Sequence, residues 1–149
     1  MTDTSHDGVV VVRPGQTYTG KQGFTYGAGV SRETVGARHI CMNLLPIPDG
    51  AMARAHYHDG IETIAYVLEG ECFVHYGDEL EKQVLVKAGE HCLVGAGVPH
   101  APRNASGAMC RALIAHSSGS DQDGLVMLPD LDAKLAARIA AEKKQGDDS

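Results

Sequence analysis

Short apolar runs alternate with turn residues along most of the chain. Residues 9–12 are four valines in a row, which predicts a strand buried on both faces. Residues 14–30 are rich in Gly, Thr and Gln and predict irregular structure. The pattern turns apolar again over 37–47, and Pro46, Pro48, Asp49 and Gly50 then mark a turn. Further apolar runs follow at 51–57, 63–68, 72–76, 83–86, 91–94, 108–115 and 125–128. Between them lie turn residues, among them Asp59 and Gly60, Glu69 and Gly70, Gly77 and Asp78, and Ala88 and Gly89. Strands at this spacing, with no room for helices between them, predict an all-β sandwich or barrel. One helix is expected, over 133–144, where strong helix formers predominate. Asp130 or Asp132 can cap it, and Leu131, Leu135 and Ile139 give it a narrow apolar stripe. That stripe predicts packing on the barrel or on a partner subunit.

The resulting organisation is an N-terminal tail and edge strand at 1–36, a β-barrel at 37–128, and a C-terminal helix with a disordered tail at 129–149. A chain of 149 residues fits one domain. Hydrophobic residues at 43% and charged residues at 21% are ordinary globular usage. The formal net charge of −6, with no Lys/Arg stripe, argues against a nucleic-acid partner. No apolar run approaches the ~18 residues of a membrane helix. The first residues lack the basic-then-apolar order of a signal peptide, so a cytoplasmic protein is expected. Cys41, Cys72, Cys92 and Cys110 form no CxxC pair and are expected as small buried hydrophobes.

Eight histidines change the picture. His56 and His58 are two apart, so in a strand both imidazoles project from one face. Glu62 follows past the Asp59-Gly60 turn, which can bring its carboxylate over the same face. His100 lies in Gly-Val-Pro-His, a segment with a well-fixed backbone. Three imidazoles and a carboxylate suit a divalent transition metal: iron, manganese, nickel, zinc or copper. Tyr57, between the two histidines, should face away from them. His116 ends an apolar strand and can line the barrel mouth. No GxSxG, P-loop, HExxH or GxGxxG pattern occurs, which leaves nucleophilic hydrolysis and nucleotide chemistry without support.

The stretch from Gly50 through His56, His58 and Glu62 to Gly70 resembles the first signature of the cupin superfamily. The stretch from Gly89 through Gly95, Gly97 and His100 to Asn104 resembles the second. Two differences from the pattern stand out. Gly95 replaces a proline that shapes backbone and binds nothing. Seven residues, not six, separate Glu62 from Gly70, so either the loop carries one extra residue or Thr63 takes the carboxylate position. Thr is a poor ligand, so Glu62 is the expected one.

The resemblance implies a jelly-roll barrel, a double-stranded β-helix, holding one divalent metal per chain on His56, His58, Glu62 and His100. It implies a homodimer, with the flanks 1–30 and 129–145 available for exchange between subunits. The implied function is a metal-dependent enzyme acting on a small organic molecule. A mononuclear non-haem dioxygenase or other oxidoreductase is expected first. A redox-neutral isomerase, lyase or cyclase is the alternative, and a non-catalytic ligand-binding cupin a third. In either enzymatic form Glu62 can leave the metal and act as the catalytic base.

Overall fold

The computed structural model describes residues 5–147. Strand formation begins later than the valine run predicts, within the segment expected to be irregular. Residues 9–13 form no strand, and Val9 is 87% exposed; among the described residues no strand pairs with that valine run. The Gly/Thr-rich segment instead supplies β1 (Thr17–Thr19) and β2 (Thr25–Val30), which pair as a hairpin. A one-turn helix, α1 (Arg32–Val35), follows.

The barrel strands are β3 (Cys41–Ile47), β4 (His56–His58), β5 (Thr63–Glu69), β6 (Glu71–Tyr76), β7 (Lys82–Lys87), β8 (His91–Val94), β9 (His100–Arg103), β10 (Cys110–His116) and β11 (Leu125–Met127). They form two antiparallel sheets. One has the order β1-β2-β3-β10-β5-β8, the other β11-β4-β9-β6-β7. The two sheets face each other as a jelly-roll barrel. Period-2 alternation sets which side chains enter it. In β3, Cys41, Asn43, Leu45 and Ile47 are buried while Met42 faces out. In β10, Cys110, Ala112 and His116 point inward.

The apolar core fills one part of the interior, where Phe24, Tyr26, Leu45, Ile47, Val67, Val86 and Ala112 pack together. Gly70, at the β5–β6 turn, has φ +76, and a Cβ there would stand 2.4 Å from the Met109 carbonyl oxygen. Only glycine closes that turn without displacing backbone.

The C-terminal helix, α2 (Pro129–Asp147), is longer than the 133–144 expected. Pro129 supplies a preset φ at the first position. Asp132 does not cap the helix. Its carboxylate instead accepts from the Ala55 amide and ties α2 to the barrel. The predicted stripe does pack. Leu135 is fully buried, and Leu131 and Ile139 join it against Ala55, Leu80 and Ala101. Ala55 and Ala101 are the outward neighbours of His56 and His100, so α2 backs the strands that carry those histidines. No helix among the described residues is long and apolar enough to cross a membrane.

Candidate metal centre

Two strands of the five-stranded sheet carry three histidines into the barrel. β4 is only three residues long, and alternation buries His56 and His58 on either side of the half-buried Tyr57. β9 opens with His100, directly opposite His56 in the register. The Gly97 amide donates to the His58 carbonyl at 2.9 Å, linking the two motifs, and β11 pairs with β4 from its other side. Asn104 closes the second motif. Its amide nitrogen donates to the Ile47 and Ala108 carbonyls, at 2.7 and 2.8 Å.

One ring nitrogen from each of His56, His58 and His100 lies within 4.8 Å of the other two. The ring centroids of His56 and His100 are 4.3 Å apart, and those of His56 and His58 5.3 Å. Each ring is aimed by a backbone carbonyl. Nδ1 donates to Arg54 O from His56 (2.6 Å), to Val98 O from His100 (2.9 Å) and to Asp123 O from His58 (3.4 Å). A carbonyl only accepts, so Nδ1 carries the proton and Nε2 keeps its lone pair. Metal-binding imidazoles are held in this way.

Electrostatics point the same way. Burial, with repulsion from His100, pulls the His56 pKa down to about 3. Burial takes His100 to about 4. Burial also lowers His58, against the opposing pull of the Asp123 carbonyl and the buried Asp121 carboxylate. All three are therefore neutral at pH 7, the state a metal ligand needs. The set fits a divalent transition ion.

The opposite wall supplies a different group. Thr63, the first residue of β5, is buried and points inward. Its hydroxyl meets His116 Nδ1 at 2.8 Å. His116 ends β10, pairs with Thr63 in the register, and has its ring centroid 4.7 Å from that of His58. Burial, with repulsion from His58 and His100, brings its pKa down to about 3. The expectation that His116 lines the barrel mouth understated its place, which is inside the cavity beside the other three.

Glu62 is not brought into this group. Its side chain is exposed, and its backbone amide accepts no interior role, donating instead to Ser117 Oγ at 3.0 Å. Alternation is the reason: β5 starts with Thr63 inward, so its neighbour turns outward.

The four histidines, Thr63 and the buried Gln22 line a cavity of about 60 Å³, closed otherwise mostly by apolar side chains such as Phe24, Leu45, Ala65 and Ile114. A water needs roughly 10–15 Å³ of such volume, so a few small ligands fit.

Residues 43–116 match the family model described as a cupin domain. No functionally curated protein matches the sequence. The fold is similar to a predicted oxalate decarboxylase from Thermotoga maritima, with TM-score 0.60 and 23% identity over 74% of this chain and 99% of that one. It is similar to an uncharacterized conserved protein with a double-stranded β-helix domain from Klebsiella pneumoniae, with TM-score 0.55 and 18% identity over 61% and 76% of the two chains. A DMSP lyase from Ruegeria pomeroyi gives TM-score 0.51 and 22% identity over 61% and 44%. The family model and the shared double-stranded β-helix fold agree, and the chain belongs to the cupin superfamily.

Proposed function

We propose that the chain is a metal-dependent enzyme acting on a small organic molecule, as a mononuclear non-haem oxidoreductase of the dioxygenase type. The observation that carries this reading is the convergence of three neutral, carbonyl-anchored histidines on one small buried cavity. His56, His58 and His100 would hold the ion. Three protein nitrogens leave up to three positions open on a six-coordinate ion, enough for a chelating substrate and O2 together. A bound iron or copper ion would supply electron transfer between the two.

The chain's own residues do the rest. The apolar lining excludes bulk water. The groove at the seam between β7 and β8, the edge strands of the two sheets, has about 320 Å³. It shares Val74, Cys92 and Val94 with the cavity and offers an apolar route inward. A redox-neutral lyase reading draws support from the lyase and decarboxylase folds named above, which share the barrel.

The protein is further proposed to work as a homodimer. Ile40, Met42, Ile64 and Leu93 are exposed around a groove of about 510 Å³ on the outer face of the six-stranded sheet. Such a patch suits a second copy related by a two-fold axis.

The test is elemental analysis of protein purified without added metal, followed by O2 consumption on reconstitution with a panel of phenols, diketones and thiols. Near-stoichiometric iron or copper with substrate-dependent O2 uptake is expected. Stoichiometric zinc, manganese or nickel without uptake would move the assignment to Lewis-acid chemistry.

A further inference from the structure

The proposed metal ligands all come from one wall of the barrel. His56 and His58 lie on β4 and His100 on β9, both in the five-stranded sheet. Residues of the six-stranded sheet line the other side of the same cavity and would face an ion held from that wall. There the inward residues are Thr63 and His116, on paired strands β5 and β10. His116 is buried to 5% exposure and lines the same cavity. Its nitrogens fall outside the tight group that His56, His58 and His100 form, so it stands over the open side and does not complete the ligand set. The Thr63 hydroxyl occupies Nδ1 and fixes the ring, which leaves Nε2 as the nitrogen free to meet a bound molecule.

Charge then decides what that molecule is. Imidazole ligands are neutral, and Thr63 brings no charge to the inward position at the start of β5. A divalent ion on three histidines would keep a net positive charge in a cavity whose lining holds no carboxylate, the buried Asp121 acting on His58 from outside it, and an uncompensated charge there is costly. An exogenous anion is the natural complement. The cavity of about 60 Å³ has room for only the few heavy atoms of its anionic end.

Resting on the metal-centre reading above, we infer that His116 is the residue that contacts the substrate at the metal's open positions, and that the substrate binds there as a small oxygen-donor anion such as a carboxylate or enolate. Thr63 is the positioning residue that holds the imidazole in place.

Acetate binding to the cobalt(II)-loaded protein tests this directly. Cobalt content and affinity are measured by equilibrium dialysis, and acetate affinity from the visible cobalt bands. Acetamide serves as the neutral counterpart. The wild type should bind one cobalt per chain and take acetate well ahead of acetamide. His116→Phe and His116→Gln should load cobalt as the wild type does. His116→Phe should weaken acetate roughly tenfold to a hundredfold, the effect of losing a hydrogen bond to a charged group. His116→Gln should recover part of that loss.

Unchanged acetate affinity in His116→Phe would overturn the inference. So would loss of cobalt from both folded variants, which would make His116 a ligand. Equal affinity for acetate and acetamide in the wild type would remove the anion. A wild type that takes up no cobalt is a separate result, because it defeats the metal-centre reading itself.

Discussion

The two walls of the cavity are built on different principles. On the five-stranded sheet, three imidazoles are each aimed by a main-chain carbonyl, and the strands beneath them are backed by α2 through Ala55, Ala101 and Leu135. On the six-stranded sheet, one imidazole is aimed by one hydroxyl, and the outer face of the sheet carries exposed Met42, Ile64 and Leu93. Backbone anchors move only if the main chain moves, whereas a side-chain anchor can turn within the cavity. A fixed wall suits holding an ion, and an adjustable wall suits meeting a substrate that comes and goes. The barrel joins the two because His116 and Thr63 pair across β10 and β5 just as His56 and His100 pair across β4 and β9.

The largest expected effect comes from breaking the fixed wall. His100→Ala removes one of three converging nitrogens, and two histidines alone hold a divalent ion far more weakly. Metal content by elemental analysis should drop from about one per chain to near zero. The circular dichroism spectrum should stay that of the wild type, because His100 lies outside the apolar core. Retained stoichiometric metal would show that the ion sits elsewhere.

The same contrast explains what could be read from the sequence. His56 and His58 announce themselves because ligands two apart in a strand share a face, and Gly97 and His100 sit in a short local motif. The fold was legible for a similar reason: turn residues and alternating runs are local signals. The Thr63–His116 pair spans 53 residues, and no local pattern ties one to the other. Glu62 drew attention because a carboxylate is a better ligand than a hydroxyl. What decided its placement was the residue at which β5 begins, a matter of register that one position reverses. The valine run at 9–12 misled in another way. Its β-branched side chains favour a strand, yet among the described residues no strand pairs with it, and propensity yields to tertiary pairing.

Acidification sharpens the comparison, because the walls contribute unequal numbers of buried neutral histidines. The folded-state pKa lies at about 3 for His56, about 4 for His100 and about 3 for His116, against an ordinary value of 6.5. Between those limits the unfolded chain binds more protons than the folded one. Stability of the metal-free protein is therefore full above pH 6.5 and falls as the pH drops below it. The slope should reach on the order of 1.4 kcal/mol per pH unit for each histidine. Urea unfolding at pH 7, 6, 5 and 4.5 measures it. His116→Phe should remove only one histidine's share of the slope, while a His56→Phe/His100→Phe double change should remove two. A pH-independent midpoint between 7 and 5 would contradict the burial of these rings.

The smallest effects lie at the boundary of β5, where two adjacent residues face opposite ways. Glu62 is exposed, and its backbone is held by Ser117, the amide donating to Ser117 Oγ and the carbonyl accepting from the Ser117 amide. Glu62→Gln keeps that amide and changes a solvated charge, so metal affinity by dialysis should stay within about twofold, in keeping with the small worth of exposed surface charges. Thr63→Val keeps the shape and removes the hydroxyl that fixes His116. It should loosen the ring without releasing the ion, and the ¹⁵N signals of His116 should shift toward a mixed tautomer population. A tenfold loss of metal in Glu62→Gln would mean that the carboxylate swings inward as a fourth ligand when the ion is bound. That outcome would also require the Asp59-Gly60 turn to rearrange, because with Thr63 inward and paired to His116 the alternation of β5 turns Glu62 outward.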